Sequence, residues 1–324
     1  MKAIVQDRYG PPATLRLSEV DKPVAGDDEV LVRVEAASVN ARDWHTMRGD
    51  PYVARLALGF RGPKDKIPGT DFAGRVEAVG SAVTRFAAGD EVFGEVAGAF
   101  AEYVRVPATL VEPKPVGFTF EQAAALPLAG NTALMGLRDL GRVGPGRQVL
   151  INGASGGVGT FAVQLAKAFG ASVTGVCSTR NVELVRSLGA DHVVDYTRDD
   201  FARGTRRYDV VFDLVGNRSL ADCRRALTPQ GMVILSGGGV FEGGSLFGPI
   251  GLILKGVLQA RLARRRILVL STAPTQENLA TLRELAEAGK ITAVIDRRYP
   301  LSETAEALRY VEGEHARAKV VITV

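Results

Sequence analysis

Val149-Leu150-Ile151-Asn152-Gly153-Ala154-Ser155-Gly156-Gly157-Val158-Gly159 is the stretch that decides the fold of this 324-residue chain. An apolar run of strand character enters a glycine-rich turn, and Thr160-Phe161-Ala162-Val163-Gln164-Leu165-Ala166-Lys167 continues as a helix. Glycine is needed in such a turn because a Cβ would hold the backbone away from a pyrophosphate. The helix start then offers that anion free N–H groups and partial positive charge. The pattern is an A-x-G-x-x-G variant over Ala154, Gly156 and Gly159. Glycines alone say little, but a strand before and a helix after are the context of a dinucleotide site. The competing reading is a tight strand-to-helix turn with no ligand.

Around the turn the sequence alternates between two textures. Strands are expected at 147–152, 172–177, 192–195, 208–213, 231–236 and 267–271, and helices at about 157–169, 180–188, 217–226 and 246–260. Six strands with helical crossovers predict an α/β fold with a doubly wound parallel sheet. A further helix is expected over 275–288. Residues 1 to about 122 read instead as strands and turns. Val30-Leu31-Val32-Arg33-Val34-Glu35-Ala36 has the period of a half-buried strand, and glycines punctuate short β-runs from Ile67 to Gly94. A barrel-like β domain follows from that density of turns. Thr119 is the expected N-cap where helical composition begins, over Glu121 to Leu126. The tail, helical over 303–312 and extended over 319–324, is expected to return to the N-terminal domain.

Composition narrows the function classes. With 46% hydrophobic and 23% charged residues, the chain can fill two cores and is not disordered. Forty cations against 36 acids give a net charge of +4, spread along the chain, so no nucleic-acid footprint is indicated. Cys177 and Cys223 form no CxxC pair and read as buried thiols rather than a disulfide. The N-terminus, Met1-Lys2-Ala3-Ile4-Val5, already has strand character, so no secretory signal is expected there, and no apolar run is long enough to span a bilayer. A cytoplasmic setting is expected, and membrane contact is not.

The end of the second strand decides the cofactor. An enzyme using NAD usually places an acid there to accept the ribose hydroxyls. Here Val173-Thr174-Gly175-Val176-Cys177 runs into Ser178-Thr179-Arg180-Asn181 with no acid, and Tyr196 follows the third strand. Hydroxyls and a guanidinium suit a 2′-phosphate, so NADPH is expected with Ser178, Arg180 and Tyr196 as contacts. The bland alternative is that Ser178 caps a helix and Arg180 is solvated. A catalytic zinc needs three protein ligands, and the two cysteines and three histidines (His45, His192, His315) do not cluster at ligand spacing.

Ile67-Pro68-Gly69-Thr70-Asp71-Phe72-Ala73-Gly74-Arg75-Val76, then Gly89-Asp90-Glu91-Val92-Phe93-Gly94, then the 149–159 turn together resemble the medium-chain dehydrogenase/reductase superfamily across essentially the whole chain. Its zinc-free branch of quinone oxidoreductases and enone reductases fits best. Where zinc members carry a ligand cysteine, this chain reads Ser38-Val39-Asn40-Ala41-Arg42-Asp43; where they carry a His-Glu pair, it reads Thr70-Asp71. The resemblance implies a GroES-like catalytic domain over 1–122, with 296–324 returning to it. It also implies a Rossmann NADPH-binding domain over 123–295, and a homodimer.

The reaction asks little of side chains: the nicotinamide carries the hydride, and the protein must align it, exclude water and support charge developing on the acceptor oxygen. Asn40 and Asp43 match the N-x-x-D pattern of the branch. Asn40 is expected near the nicotinamide ribose or substrate oxygen, and Asp43 is expected to order the loop. His45 replaces a tyrosine that quinone oxidoreductases often place beside the cofactor, and with Tyr52 it is a candidate proton donor, a surface histidine and a packing tyrosine being the alternatives. By resemblance, Thr132 lies against the nicotinamide, and Ser155, Gly156, Gly157, Val158 and Gly159 hold the pyrophosphate. Asn217, Ser236, Gly237, Gly238, Val269, Leu270 and Ser271 line the nicotinamide side. Lys319 precedes the last strand where members often read G-K; Ala318 replaces the glycine, and Lys319 reads as a phosphate contact or, by preference, a solvated lysine. The apolar 246–254 run with the arginines up to Arg266 is a crossover helix on the sheet or a lid over a hydrophobic quinone.

The expected activity is zinc-independent, NADPH-dependent hydride transfer to a quinone or an α,β-unsaturated carbonyl. Two other readings compete: an NADPH-dependent aldehyde or ketone reductase, and a non-catalytic NADPH-binding, membrane-associated adaptor on the same fold.

Overall fold

Two sheets organise the computed structural model, which describes residues 1–236, 266–313 and 316–324. The expected helix at 246–260, the apolar segment with its arginines up to Arg265, Gly237, Gly238 and His315 lie outside the described residues. The contacts divide the chain into two compact units, Met1–Asn131 with Ala273–Val324, and Thr132–Thr272.

The first unit is built on antiparallel pairing. β1 (Lys2–Val5) pairs with β2 (Arg16–Glu19), while β3 (Glu29–Val39) crosses the larger sheet and pairs with β4 (Asp71–Val79) and with β6 (Tyr103–Pro107). β5 (Glu91–Glu95) and β7 (Val111–Pro113) extend that sheet beyond β4. The alternation read at Val30 to Ala36 holds from Val32 on, with Val32, Val34 and Ala36 buried and Arg33 exposed, while Leu31 on the other face is buried as well. Thr119 caps its helix as expected, its hydroxyl accepting from Gln122 N at 3.2 Å. The tail also behaves as expected, with a helix at Thr304–Gly313 and β15 (Lys319–Thr323) pairing antiparallel to β3 and parallel to β14 (Ile295–Pro300).

The first unit gathers more chain than the sequence suggested. Residues 123–131 and 273–295, expected with the second domain, pack here. Asn278, in the helix Gln276–Glu287, donates to Asn131 Oδ1 at 2.8 Å, and Leu282 of that helix sits over Gly130. A buried amide pair has to be satisfied locally, which fixes both segments to one core.

The second unit is the parallel sheet. Its order is β10-β9-β8-β11-β12-β13, with β8 (Gln148–Asn152) central, β9 (Ser172–Cys177) and β10 (His192–Asp195) to one side, and β11 (Tyr208–Asp213), β12 (Leu227–Leu235) and β13 (Arg266–Val269) to the other. Every described pairing within it is parallel. The order reverses between β8 and β11, which is where open α/β sheets bind ligands. Element types match the expectation while ends move by a few residues. The helix expected at 217–226 spans only Leu220–Arg225, because Ser219 accepts from Asp222 N and starts it late. β12 begins four residues earlier than expected, at Leu227 opposite Tyr208, through an irregular register. The core here is Leu150, Val176, Val211, Val233 and their neighbours. Cys177 and Cys223 are free and buried, and burial pushes their thiols up to about 11 and about 12.

Candidate functional site

The glycine turn of the second unit leaves β8 and enters the helix Gly157–Ala168. Gly153 has φ +88°, and a Cβ there would stand 2.6 Å from Val215 Cγ2. At Gly159 a Cβ would fall 2.1 Å from the Gly153 carbonyl oxygen, so this glycine is demanded by the packing of helix on strand. Gly156 is different: a Cβ there would meet nothing of the protein nearer than Gly153 O at 3.4 Å. The fold does not require that glycine; a ligand approaching the backbone would. The first intrahelical bond runs from Thr160 N to Gly156 O at 3.0 Å, leaving the N–H groups of 157–159 without helical acceptors. Ser155, Gly157 and Val158 are partly exposed around them.

The remaining candidates in this unit follow the carboxyl ends of the parallel strands. Ser178 follows β9 and Tyr196 follows β10, and Tyr196 N donates to Cys177 O at 3.0 Å, which brings the two turns side by side. Arg180 is exposed and Tyr196 is half-exposed. Asn217 follows β11 and accepts from Asn152 Nδ2 at 2.9 Å. Ser236 follows β12, its N–H donating to Asp213 O at 3.0 Å; Val269 ends β13, Leu270 N donates to Leu235 O at 2.9 Å, and Ser271 is exposed. Thr132 is buried in the helix Pro127–Leu134.

Three groups here escaped the sequence reading. Asp213 accepts at Oδ1 from Asn152 Nδ2, Val215 N and Gly216 N, and its buried Oδ2 has no protein partner. Asn181 donates to the Ser155 and Ser178 hydroxyls at 3.0 and 3.3 Å, tying the glycine turn to the end of β9, while its buried Oδ1 has no partner. Asp195 brings a carboxylate to the turn that was read as acid-free, accepting from Thr179 Oγ1 at 2.6 Å and from Thr197. Those hydrogen bonds, Thr179 first, hold its carboxyl below the usual range. Reading along the chain could not find it, because the acid comes from the neighbouring strand, in register with Cys177. The turn, its open N–H groups and the unneeded glycine fit a dinucleotide diphosphate.

The first unit holds a second constellation. Antiparallel register brings four strand ends together: Ser38 lies opposite Asp71, Asp71 opposite Glu95, and Val320 opposite Val39. Asn40 follows β3 and caps the helix Ala41–Arg48, where its backbone N–H donates to Asp43 Oδ2 at 2.7 Å. Thr70 Oγ1 donates to Asp43 Oδ1 at 2.9 Å. Asp71 accepts from Ser38 Oγ, from Asn40 Nδ2 at 2.9 Å and from Leu128 N. Asp43 thus ties the start of this helix to Thr70.

Lys319 overturns its expectation. It is 2% exposed, neither solvated nor open to a phosphate, and donates to Asn40 Oδ1 at 2.5 Å with Asp71 3.7 Å away. The short β15 strand carries it into the sheet edge opposite Asn40, where a buried ammonium needs these acceptors. Asn40 is redirected as well: its amide faces Lys319 and Asp71, so both ends are engaged within the protein.

Three carboxyls share this buried space with one ammonium, and Arg42 reaches Glu95 from the solvent side at 3.2 Å. Burial pushes Asp43 up to about 7 and Glu95 up to about 8, raises Asp71 and lowers Lys319. The cluster therefore holds protons at neutral pH.

His45 and Tyr52 stand apart from it. His45 stacks on Trp44 at 3.6 Å with Nδ1 3.0 Å from Asp50 O, so Nδ1 carries the hydrogen and the neutral ring keeps Nε2 as an acceptor. Burial lowers its pKa, which favours that neutral form. Tyr52 is half-exposed with the Arg55 guanidinium 4.5 Å over its ring. Among the described residues no group of three His, Cys, Asp or Glu side chains could hold a metal ion.

Residues 26–116 match the family described as alcohol dehydrogenase GroES-like domain, and residues 188–322 match the one described as zinc-binding dehydrogenase. The chain is 34% identical over 336 residues to the chloroplastic quinone-oxidoreductase QR1 of Triphysaria versicolor, covering 99% of this chain and 98% of that one. It is 36% identical over 337 residues to the chloroplastic NADPH-dependent alkenal/one oxidoreductase of Arabidopsis thaliana, covering 99% and 79%. The solved quinone oxidoreductase of Coxiella burnetii superposes with a TM-score of 0.87 at 32% identity, covering 100% and 99%. The chain belongs to the medium-chain dehydrogenase/reductase superfamily, in its zinc-free quinone and enone oxidoreductase branch. It is an oxidoreductase that uses a nicotinamide cofactor, with a GroES-like unit and a Rossmann unit.

Proposed function

We propose that this chain transfers hydride from NADPH to a quinone or an α,β-unsaturated carbonyl, without zinc. The observation that carries the reading is Gly156, a glycine with no internal steric reason in a turn whose helix N–H groups are unspent. The Arabidopsis relative, whose name carries both NADPH and an alkenal/one substrate, supports the cofactor and the acceptor class.

Bound there, NADPH supplies the hydride. The chain's own residues do the rest. Ser155 to Gly159 bind the diphosphate through backbone N–H groups, and Ser178, Arg180 and Tyr196 take the 2′-phosphate. Thr132, Asn217, Ser236, Val269, Leu270 and Ser271 orient the nicotinamide end. The segments that carry ligands in zinc-bearing members read here Ser38 to Asp43 and Thr70-Asp71, and the polar atoms of Asn40 and Thr70 within them are engaged by Lys319, Asp71 and Asp43, which supports zinc independence. A homodimer in a cytoplasmic setting completes the proposal.

Purified protein is expected to oxidise NADPH with a benzoquinone or an enone, more slowly with NADH, and without loss after chelator dialysis. Turnover with an aldehyde alone would favour the carbonyl-reductase reading, and cofactor binding with no turnover the adaptor.

A further inference from the structure

Asn181 stands at the N-cap of the helix Val182–Ser187, where an asparagine ordinarily turns its side-chain oxygen onto the N–H groups of the first turn. Here it makes no capping bond. Its Oδ1 is buried without a partner, and its Nδ2 donates to Ser155 Oγ at 3.0 Å and to Ser178 Oγ at 3.3 Å. Ser178 does not cap either, although it stands at the N-cap of the turn Thr179–Asn181. A buried acceptor left unmade works against stability, so folding alone gives little reason for an amide at this place. What the amide secures is its hold on the two hydroxyls.

That hold sets the direction of both hydroxyls. An amide nitrogen offers hydrogens and no lone pair, so neither serine can aim its own hydrogen at Asn181. Among the described residues neither hydroxyl donates to any other group. Asn181 lies beneath them at 4% exposure and both serines are partly exposed, which leaves their hydrogens to the open side. Ser155 belongs to the glycine turn and Ser178 follows β9, and all three residues lie in the second unit. Phosphate oxygens are acceptors, so two outward hydrogens suit a ligand with phosphate at both places. A ribose hydroxyl brings a hydrogen of its own and gains less from Ser178.

We propose that Asn181 is a positioning residue that fixes the Ser155 and Ser178 hydroxyls as donors. One buried amide then serves the diphosphate through Ser155 and the 2′-phosphate through Ser178, and tilts the site towards NADPH. The inference rests on the cofactor reading above. Asn181 touches neither phosphate itself; it acts only through the two serines.

Fluorescence titration with NADPH and with NADH reads the effect without turnover. Asn181→Ala is expected to weaken NADPH about tenfold and NADH about threefold. Asn181→Asp keeps the shape but accepts from both serines, turning their hydrogens inward, and should weaken NADPH about 100-fold. Ser178→Ala should lower the NADPH-over-NADH preference by itself, and adding Asn181→Ala to it should leave that preference where it is. Equal losses for both nucleotides in the Asn181 variants, or a full further drop in the double variant, would reduce Asn181 to a structural part and overturn the proposal. Should Asn181→Ala fail to fold, the isosteric Asn181→Asp carries the same comparison. If wild type binds neither nucleotide, the cofactor reading fails instead, and inorganic pyrophosphate still decides the hydroxyls. Pyrophosphate binding by wild type that is lost in Asn181→Asp supports the positioning role; no binding, or binding that survives the substitution, overturns it.

Discussion

The two polar centres of this molecule are opposites. In the second unit the glycine turn holds backbone donors in reserve: N–H groups at 157–159 have no helical acceptor, and Gly156 leaves space beside them. In the first unit almost every polar atom of Asn40, Asp43, Thr70, Asp71 and Lys319 is already spent on a neighbour. An open set of donors binds, because a ligand replaces only water. A closed set positions and stores, because any change in one member must be answered by another.

The strongest way to break this contrast is to unbalance the closed set. Lys319→Met leaves Asp71 buried beside Glu95 without its ammonium, and urea denaturation should show a loss of about 3–5 kcal/mol. A loss below about 1 kcal/mol would mean that the cluster is not held together by charge. Next come the two glycines of the open set. Gly159→Ala should cost about 3 kcal/mol, since its Cβ meets backbone at 2.1 Å. Gly156→Ala should leave the unfolding midpoint nearly unchanged yet weaken NADPH binding by about tenfold in fluorescence titration. Equal effects of the two on folding would erase the distinction between them.

Stability against pH tests storage. Asp43 rises from 3.8 to about 7 and Glu95 from 4.5 to about 8, so the folded state keeps protons that the unfolded chain releases first. Stability is therefore full below the unfolded values and falls as pH rises through the folded ones, which melting curves between pH 4 and pH 8 should show. A melting point flat over that window would remove the stored protons. Ala318, just before Lys319, sits at φ +61°, and Ala318→Gly should stabilise by about 1 kcal/mol in the same assay. The smallest effect belongs to Asp195→Asn, which removes a negative charge beside Ser178. The NADPH-over-NADH ratio of kcat/KM should rise about threefold, and no rise would place the 2′-phosphate away from that turn.

The same contrast explains what the sequence disclosed. The turn at 149–159 is local, so composition and spacing alone displayed its strand, its glycines and its helix, and the parallel alternation followed to within a few residues. The closed set is assembled by register between segments far apart in the chain. Asn40 and Asp43 showed through an N-x-x-D pattern, but nothing near Lys319 announces that β15 pairs against β3 and buries it 2.5 Å from Asn40 Oδ1. Asp195 was missed for the same reason, since its neighbour Thr179 is sixteen positions away. Ala318 was visible as a departure from G-K, though only its backbone angle shows the strain.

The two thiols have a bearing on survival under working conditions. Quinones and enones are electrophiles that alkylate thiolates, and a protein turning them over meets them continuously. With Cys177 held at about 11 and Cys223 at about 12, at most about one molecule in ten thousand carries a thiolate at neutral pH, and burial shields both sulfurs. Under the proposed function, the chain is thereby built to resist alkylation by its own acceptors.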